Sequence, residues 1–183
     1  ISRMGSVDEG STVSDYTEDE RNRKISISLA ISNLEWHNFK LNLIDMPGYA
    51  DFIGEVEGGL SITDFALIVV NGVGGIEVGT DTTWRIASRL GTPRGFFVNR
   101  IDKEHADFDK AVGQIQDVFG NRAVPVTMAI GGGPTFNGVI NILTMKAYSH
   151  DKSGNAKEIP IPDDFKGQAE SYHEKLVEAA AEA

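Results

Sequence analysis

Cysteine is absent from all 183 residues, which excludes disulfides, thiol nucleophiles and thiolate metal sites. Long apolar runs are missing as well. None approaches the roughly 18 residues that a membrane span needs, and no stretch has the layout of a secretory leader. Basic residues are in short supply, 17 against 27 acids for a net charge of −10. That balance argues against a general nucleic-acid-binding surface, while leaving room for a local contact with RNA. The four histidines, His37, His105, His150 and His173, are scattered without metal-ligand spacing, so surface imidazoles are the plainer reading. No internal repeat is visible. A soluble, cytoplasmic protein is the default expectation. The chain opens at Ile1 rather than Met and its first residues form no element, which reads as a piece of something longer.

What is present suffices for one substantial core, or one core plus a small appendage, with 40% hydrophobic and 24% charged residues. Residues 1–22 are polar and rich in Gly and Ser. A flexible loop is expected there, with one helical turn over 18–22 and the acids of 15–20 forming a solvated face. Ile25, Ile27, Leu29 and Ile31 then alternate with serines, the pattern of a half-buried strand. His37-Asn38 precedes a second alternating run, Phe39, Leu41 and Leu43, and the pair predicts a β-hairpin.

Residues 51–61 predict a helix weakened by glycines. Ala66-Leu67-Ile68-Val69-Val70 is a continuous apolar run, expected of a strand covered on both faces. A helix over 81–90 follows, with Trp84, Ile86 and Ala87 inward and Gly91-Thr92-Pro93 closing it. Gly95-Phe96-Phe97-Val98 is the next buried strand. Phe108, Val112, Ile115 and Phe119 recur at spacings of three and four, an amphipathic helix over 106–119. Strand alternating with helix predicts a parallel α/β sheet with one antiparallel edge.

Past Gly120 the character changes. A strand is expected over 124–130, a turn at Gly131-Gly132-Gly133-Pro134, and strand-like sequence within 139–147. Asp151-Lys152-Ser153-Gly154 reads as a polar loop tip. A last helix spans 164–181, with Asp163 as its N-cap. The expected division is a partial nucleotide core over 1–120 and a small α+β insertion over 121–183.

Two stretches carry chemistry. Leu41-Asn42-Leu43-Ile44 ends in Asp45, and Pro47-Gly48 follows. A carboxylate at the carboxyl end of a strand lies where open α/β sheets place their ligands. Asp45-x-x-Gly48 is one way to hold magnesium and sense a terminal phosphate; the alternative is that Asp45 caps the next helix. Asn99-Arg100-Ile101-Asp102 also follows a buried strand. A carboxylate such as Asp102 accepts two parallel hydrogen bonds from the N1–H and N2 amino group of guanine, a pair that adenine does not offer. Asn99 would tie the loop down and reach the base, and the Arg100 stem could lie over the ring. Residues 71–75 lack a Lys-Ser/Thr ending and read as a tight turn rather than a phosphate cradle, as do residues 131–133.

Asp45-Met46-Pro47-Gly48, Asn99-Arg100-Ile101-Asp102, the run Glu20-Arg21-Asn22-Arg23-Lys24-Ile25-Ser26-Ile27 and the loop Asn71-Gly72-Val73-Gly74-Gly75-Ile76-Glu77 together resemble the GTPase domain of the elongation factor G family. So does the helix containing Thr83-Trp84-Arg85. Ribosomal-protection and release-factor GTPases share most of these motifs. The resemblance implies a P-loop NTPase-like, mostly parallel sheet flanked by helices, with a small α+β subdomain inserted after the guanine-reading loop. It also implies a monomer that hydrolyses GTP to GDP with Mg²⁺ on the ribosome, among rRNA and ribosomal proteins, and not at a membrane.

By position, the resemblance gives Ser26 the place of a threonine that ligates magnesium in the first switch loop. Asp45 would act on magnesium through water, and the Gly48 N–H would meet the γ-phosphate. Asn99, Arg100 and Asp102 would hold guanine. Three departures stand out. The Gly-x-x-x-x-Gly-Lys-Ser/Thr phosphate loop does not occur in the 183 residues and is expected upstream of Ile1, so the chain alone is expected to bind GTP weakly. The last guanine-contacting loop is missing as well. Tyr49 stands where the family usually has the histidine that positions the attacking water, and a phenol does not exchange protons near neutrality as imidazole does. Ser26 for Thr and Arg100 for Lys keep the chemistry with a changed fit. Tyr49 and Ser26 suggest a second, paralogous type. The alternative function is a nucleotide-switched ribosome-binding module with little hydrolysis.

Overall fold

Thr17 starts the first element of the computed structural model, which describes residues 5–6, 9–151 and 155–182. Residues 1–4, 7, 8 and the Lys152-Ser153-Gly154 part of the expected loop tip lie outside them. The Thr17 hydroxyl accepts the Glu20 N–H while the Glu20 carboxylate accepts the Thr17 N–H, a capping box that opens helix α1 (Glu18–Arg23). The chain divides into two compact units, Ile1–Ile68 with Val78–Gly95, and Val69–Glu77 with Phe96–Ala183.

In the first unit the strand expected from residue 25 begins later. Strand β1 (Ala30–Trp36) pairs antiparallel with β2 (Phe39–Asp45), with Ala30 opposite Asp45 and Trp36 opposite Phe39. The amides of Ile27, Ser28 and Leu29 have carboxylate acceptors instead of a neighbouring strand. That removes the need for a ladder there. His37 and Asn38 both adopt positive φ, 46° and 67°, as a two-residue hairpin turn of the left-handed kind requires. The alternation is real, but the hairpin is not half-buried: Ile31 is 66% and Phe39 71% exposed.

A 3-10 turn (Ala50–Phe52) leads into helix α2 (Ile53–Leu60). Val56 and Leu60 of α2 pack with Ala66 at the start of β3 (Ala66–Asn71) and with Ile86 and Ala87 of α3 (Val78–Leu90). Gly91 takes φ 72° just past α3, the left-handed position expected of a closing glycine. The face of β3 bearing Ala66, Ile68 and Val70 is buried. Leu67 and Val69 are each 58% exposed, so the expectation of cover on both faces fails. Helices α2 and α3 meet the Ala66 face, and among the described residues no buried cluster includes Leu67 or Val69.

Strand β3 neighbours β4 (Arg94–Asn99). In the first unit Ala66 N–H donates to Pro93 O at 2.8 Å, and in the second Gly72 N–H donates to Asn99 O at 2.8 Å. Both bonds run in the same sense with the same offset, which makes the pair parallel. The α/β class expected from the sequence is the class found.

The second unit continues with α4 (Phe108–Phe119), capped by the Asp107 side chain on the Lys110 N–H. Phe119 stacks on Phe96 of β4 with ring centres 5.1 Å apart. Strands β5 (Thr127–Ile130), β6 (Gly138–Asn141), β7 (Lys146–His150) and β8 (Ala156–Ile159) form an antiparallel meander. Helix α5 (Asp163–Ala181) packs on it through Ala169, Phe165, Tyr172 and Leu176. Asp163 is not the N-cap of α5. Pro162 holds that place with no side-chain bond, and the Asp163 carboxylate pairs with Lys166 at 2.6 Å. Ile140 is fully buried in this core. Ile140→Val is expected to cost about 1 kcal/mol, read as a lower urea midpoint with unchanged slope.

Candidate nucleotide site

Of the acids of residues 15–20, Glu18 and Asp19 are exposed as expected, but Asp15 and Glu20 depart from a solvated face: Asp15 is 8% and Glu20 0% exposed. One Asp15 oxygen accepts the Ser26 hydroxyl at 2.8 Å, and the other accepts the Thr12 hydroxyl. Glu20 Oε2 accepts the Thr17 N–H at 2.9 Å and the Thr17 hydroxyl at 2.7 Å. Its Oε1 accepts the N–H groups of Ile27 and Ser28, each at 3.0 Å. Burial by itself would push the Glu20 carboxyl up, but donation from Ser28, Thr17 and Ile27 outweighs it and holds the group at about 2. Leu29 N–H donates to Glu55 Oε2 of α2 at 2.9 Å.

Strand β2 delivers Asp45 to its carboxyl end, opposite Ala30. Beyond it the turn is fastened from below. Met46 packs against the α2–α3 core, Pro47 is buried, and the Gly48 carbonyl lies 3.3 Å from where a Cβ on Gly79 would sit. Asp45, Gly48 and Tyr49 are exposed, Tyr49 by 57%. A Cβ on Gly48 would meet nothing within 4 Å. The turn therefore presents a carboxylate, a small open backbone and a phenol to solvent.

Hydroxyl and carboxylate oxygens are the hard donors magnesium takes, and this ion commonly uses one or two protein ligands completed by phosphate and water. Ser26 and Asp45 fit that donor set. Among the described residues no three His, Asp or Glu side chains gather into a cage of their own.

The second unit carries the residues expected to read the base. Asn99 ends β4, and its Oδ1 accepts the Arg100 N–H at 2.8 Å. That bond steadies Arg100 at φ 60°, a left-handed conformation uncommon for a long side chain. Ile101 turns inward at 8% exposure, so Arg100 and Asp102 point away from the core. Gly72 grips both ends of the loop: its N–H donates to Asn99 O, and its carbonyl accepts the Asp107 N–H at 3.2 Å. A Cβ at Gly72 would lie 2.8 Å from Ile101 Cδ1 and 2.9 Å from Asn99 O, which explains glycine at this close approach. From the other side Gly133 N–H donates to Ile101 O at 2.7 Å. Asp102 bonds Lys103 Nζ at 3.0 Å. That hydrogen bond and charge hold its carboxyl below the usual range, so it stays an acceptor at neutral pH.

The chain matches a family of known proteins. The elongation factor Tu GTP binding domain family matches residues 1–179 of the chain. The chain belongs to this family. Elongation factor G of Mycoplasma genitalium is 43% identical over 183 residues, covering 99% of this chain and 27% of that protein. Elongation factor G of Mycoplasma pneumoniae is 42% identical over the same shares. A crystal structure from Thermus thermophilus superposes with a TM-score of 0.91 at 29% identity, covering 97% of this chain and 26% of that one. The chain thus spans about a quarter of the length of the relatives it matches.

Within this domain, sequence reasoning named the exposed residues and the half-buried Ser26, and it named Asn99 as tying its loop down, but it missed the other residues that hold them. Asn99, Arg100 and Asp102 share one loop of the second unit, while Ser26, Asp45, Gly48 and Tyr49 belong to the first. Residues 71–75 are a tight turn, with Gly75 N–H on Asn71 O at 2.7 Å, but Gly72 within it is also a clamp on the Asn99 loop. Glu20 had a legible signal: Thr17 and Glu20 stand at capping-box spacing. Glu55 had none.

Proposed function

We propose that this domain is the GTP-binding part of an elongation-factor-G-like translational GTPase, which couples GTP hydrolysis to ribosomal translocation or a related remodelling of the ribosome. The observation that carries the reading is the loop at the end of β4. It is pinned from both sides through backbone groups and leaves an ionised Asp102 exposed beside Arg100 and Asn99. The Asp102 carboxylate offers the two acceptors that the N1–H and N2 amino group of guanine need. Ser26 and Asp45 would hold Mg²⁺, Asp45 through water, and the Gly48 N–H would meet the γ-phosphate. When bound, the ion would neutralise charge on the transferred phosphoryl group. GTP, GDP and the ribosome are the partners of this reading, in the cytoplasm and as a monomer. Among the described residues no helix is long and apolar enough to cross a membrane. Residues 1–120 would be the partial nucleotide core and 121–183 the inserted subdomain, whose meander and α5 share a core.

A second reading, a ribosome-binding module switched by nucleotide with little hydrolysis, is favoured by Tyr49. It stands exposed one residue after Gly48. One experiment serves both readings: ribosome-stimulated phosphate release from GTP by the full-length protein. Tyr49→His is expected to raise that rate about tenfold, since a positioned imidazole adds general-base character that a phenol lacks at neutral pH. No release by either form would remove hydrolysis from the proposal, and equal release by both would remove Tyr49 from the mechanism.

A further inference from the structure

Residues 25–29 stand between α1 and β1 in no helix and no strand. Such a stretch owes each of its amides a partner. Three in a row find one, and each time it is a carboxylate: Glu20 takes Ile27 and Ser28, and Glu55 takes Leu29. The two acids come from different elements. Glu20 belongs to α1, where the capping box with Thr17 fixes it. Glu55 belongs to α2, the helix that follows the Asp45-x-x-Gly48 turn, and its neighbour Val56 is buried in the α2–α3 core.

We infer that Glu20 and Glu55 are a pair of positioning residues that clamp the Ser26-bearing segment between them, Glu20 to α1 and Glu55 to α2, the helix behind the Asp45-x-x-Gly48 turn, so that the two phosphate-sensing loops move as one. The inference rests on the proposed magnesium–GTP reading, which makes Ser26 and Gly48 respond to the same γ-phosphate. Ser26 precedes the first clamped amide by one residue, so its hydroxyl can swing while its backbone is held. In the structure that hydroxyl rests on Asp15. Asp15 accepts the hydroxyl proton in a hydrogen bond and leaves the oxygen's lone pairs for the metal, so Ser26 would turn toward the ion about a held backbone and the clamp keeps that movement local. Charge-assisted bonds suit this task, being about twice as strong as neutral ones. Glu55 contributes a single such bond, to Leu29. Its loss would loosen the segment without removing the core under it.

Two measurements test the clamp. In this chain, amide hydrogen exchange resolved by residue should show Leu29 protected, and Glu55→Ala should raise its exchange about tenfold. Glu55→Gln, which keeps a carbonyl oxygen as acceptor, should restore much of the protection. In the full-length protein, Glu55→Ala should shrink the preference for GTP over GDP in Mg²⁺ about tenfold and leave GDP affinity nearly as it was. A merely structural residue would weaken both nucleotides alike. Glu57→Ala is the control, because Glu57 lies on the same helix but pairs with Arg89; it should not alter the ratio. If the wild-type protein shows no magnesium-dependent preference for GTP, the nucleotide reading falls and this proposal with it. Should the wild type prefer GTP and Glu55→Ala keep the whole preference, the clamp alone is overturned. Unchanged Leu29 exchange would overturn it too.

Discussion

Asp102→Asn in the full-length protein is expected to lower affinity for guanine nucleotides by about a hundredfold or more and to raise affinity for xanthine nucleotides by a similar factor. The argument is one of matched donors. A carboxylate offers two acceptors to the N1–H and N2 amino group of guanine. The Asn amide offers one acceptor and one donor, so it faces the guanine amino group with an N–H and leaves both unpaired. Xanthine carries a carbonyl where guanine carries that amino group, and the amide then pairs at both ends. Folding should survive the change. Asp102 is exposed, and its ion pair with Lys103 lies at the surface, where such pairs contribute little. The loop's shape comes from elsewhere, from Gly72, Gly133 and the Asn99 side chain. Competition titration of GTP against XTP checks the outcome. Loss of GTP binding with no gain for XTP would mean that Asp102 holds the loop and does not read the base.

That separation between residues that act and residues that hold also marks what the sequence makes legible. Asp45 and Asp102 could be proposed as site residues because each follows an apolar run, and a strand leads its terminal residues to the edge where open α/β sheets place ligands. Helix α4 could be found because Phe108, Val112 and Ile115 recur at helical spacing and Asp107 stands at the cap. Residues 25–29 mislead for a physical reason. Ile25, Ile27 and Leu29 alternate as a strand would, yet the amides of residues 27–29 have acceptors from residues 7, 8 and 26 positions away. Periodicity reports how side chains face and is silent on where backbone bonds go. The open face of β3 misleads similarly, since a continuous apolar run states that burial is possible without supplying the element that covers it. Gly72 and Gly133 read as turn residues because glycine signals a turn; that each also lends an N–H to a neighbouring loop is a tertiary fact.

Among the holding residues Glu20 should have the largest effect. Its folded value of about 2 lies below the ordinary 4.5, so ionisation favours the folded form. A depressed carboxyl contributes fully above its unfolded value and loses that contribution as pH falls toward the folded one. The window therefore runs from about pH 4.5 down to about pH 2, and the whole contribution is about 3 kcal/mol. Glu20→Gln should remove much of this at pH 7, because the neutral amide gives weaker acceptors to Ile27 and Ser28 and turns a donor toward Thr17. The difference between wild type and variant in urea unfolding should narrow from about 3 kcal/mol at pH 7 to about 1 kcal/mol at pH 3. A difference that stayed constant with pH would show that packing, and not the charge, is what Glu20 supplies. One that vanished at pH 7 would show that the segment bearing Ser26 is ordered without it, and would leave the clamp to Glu55 alone.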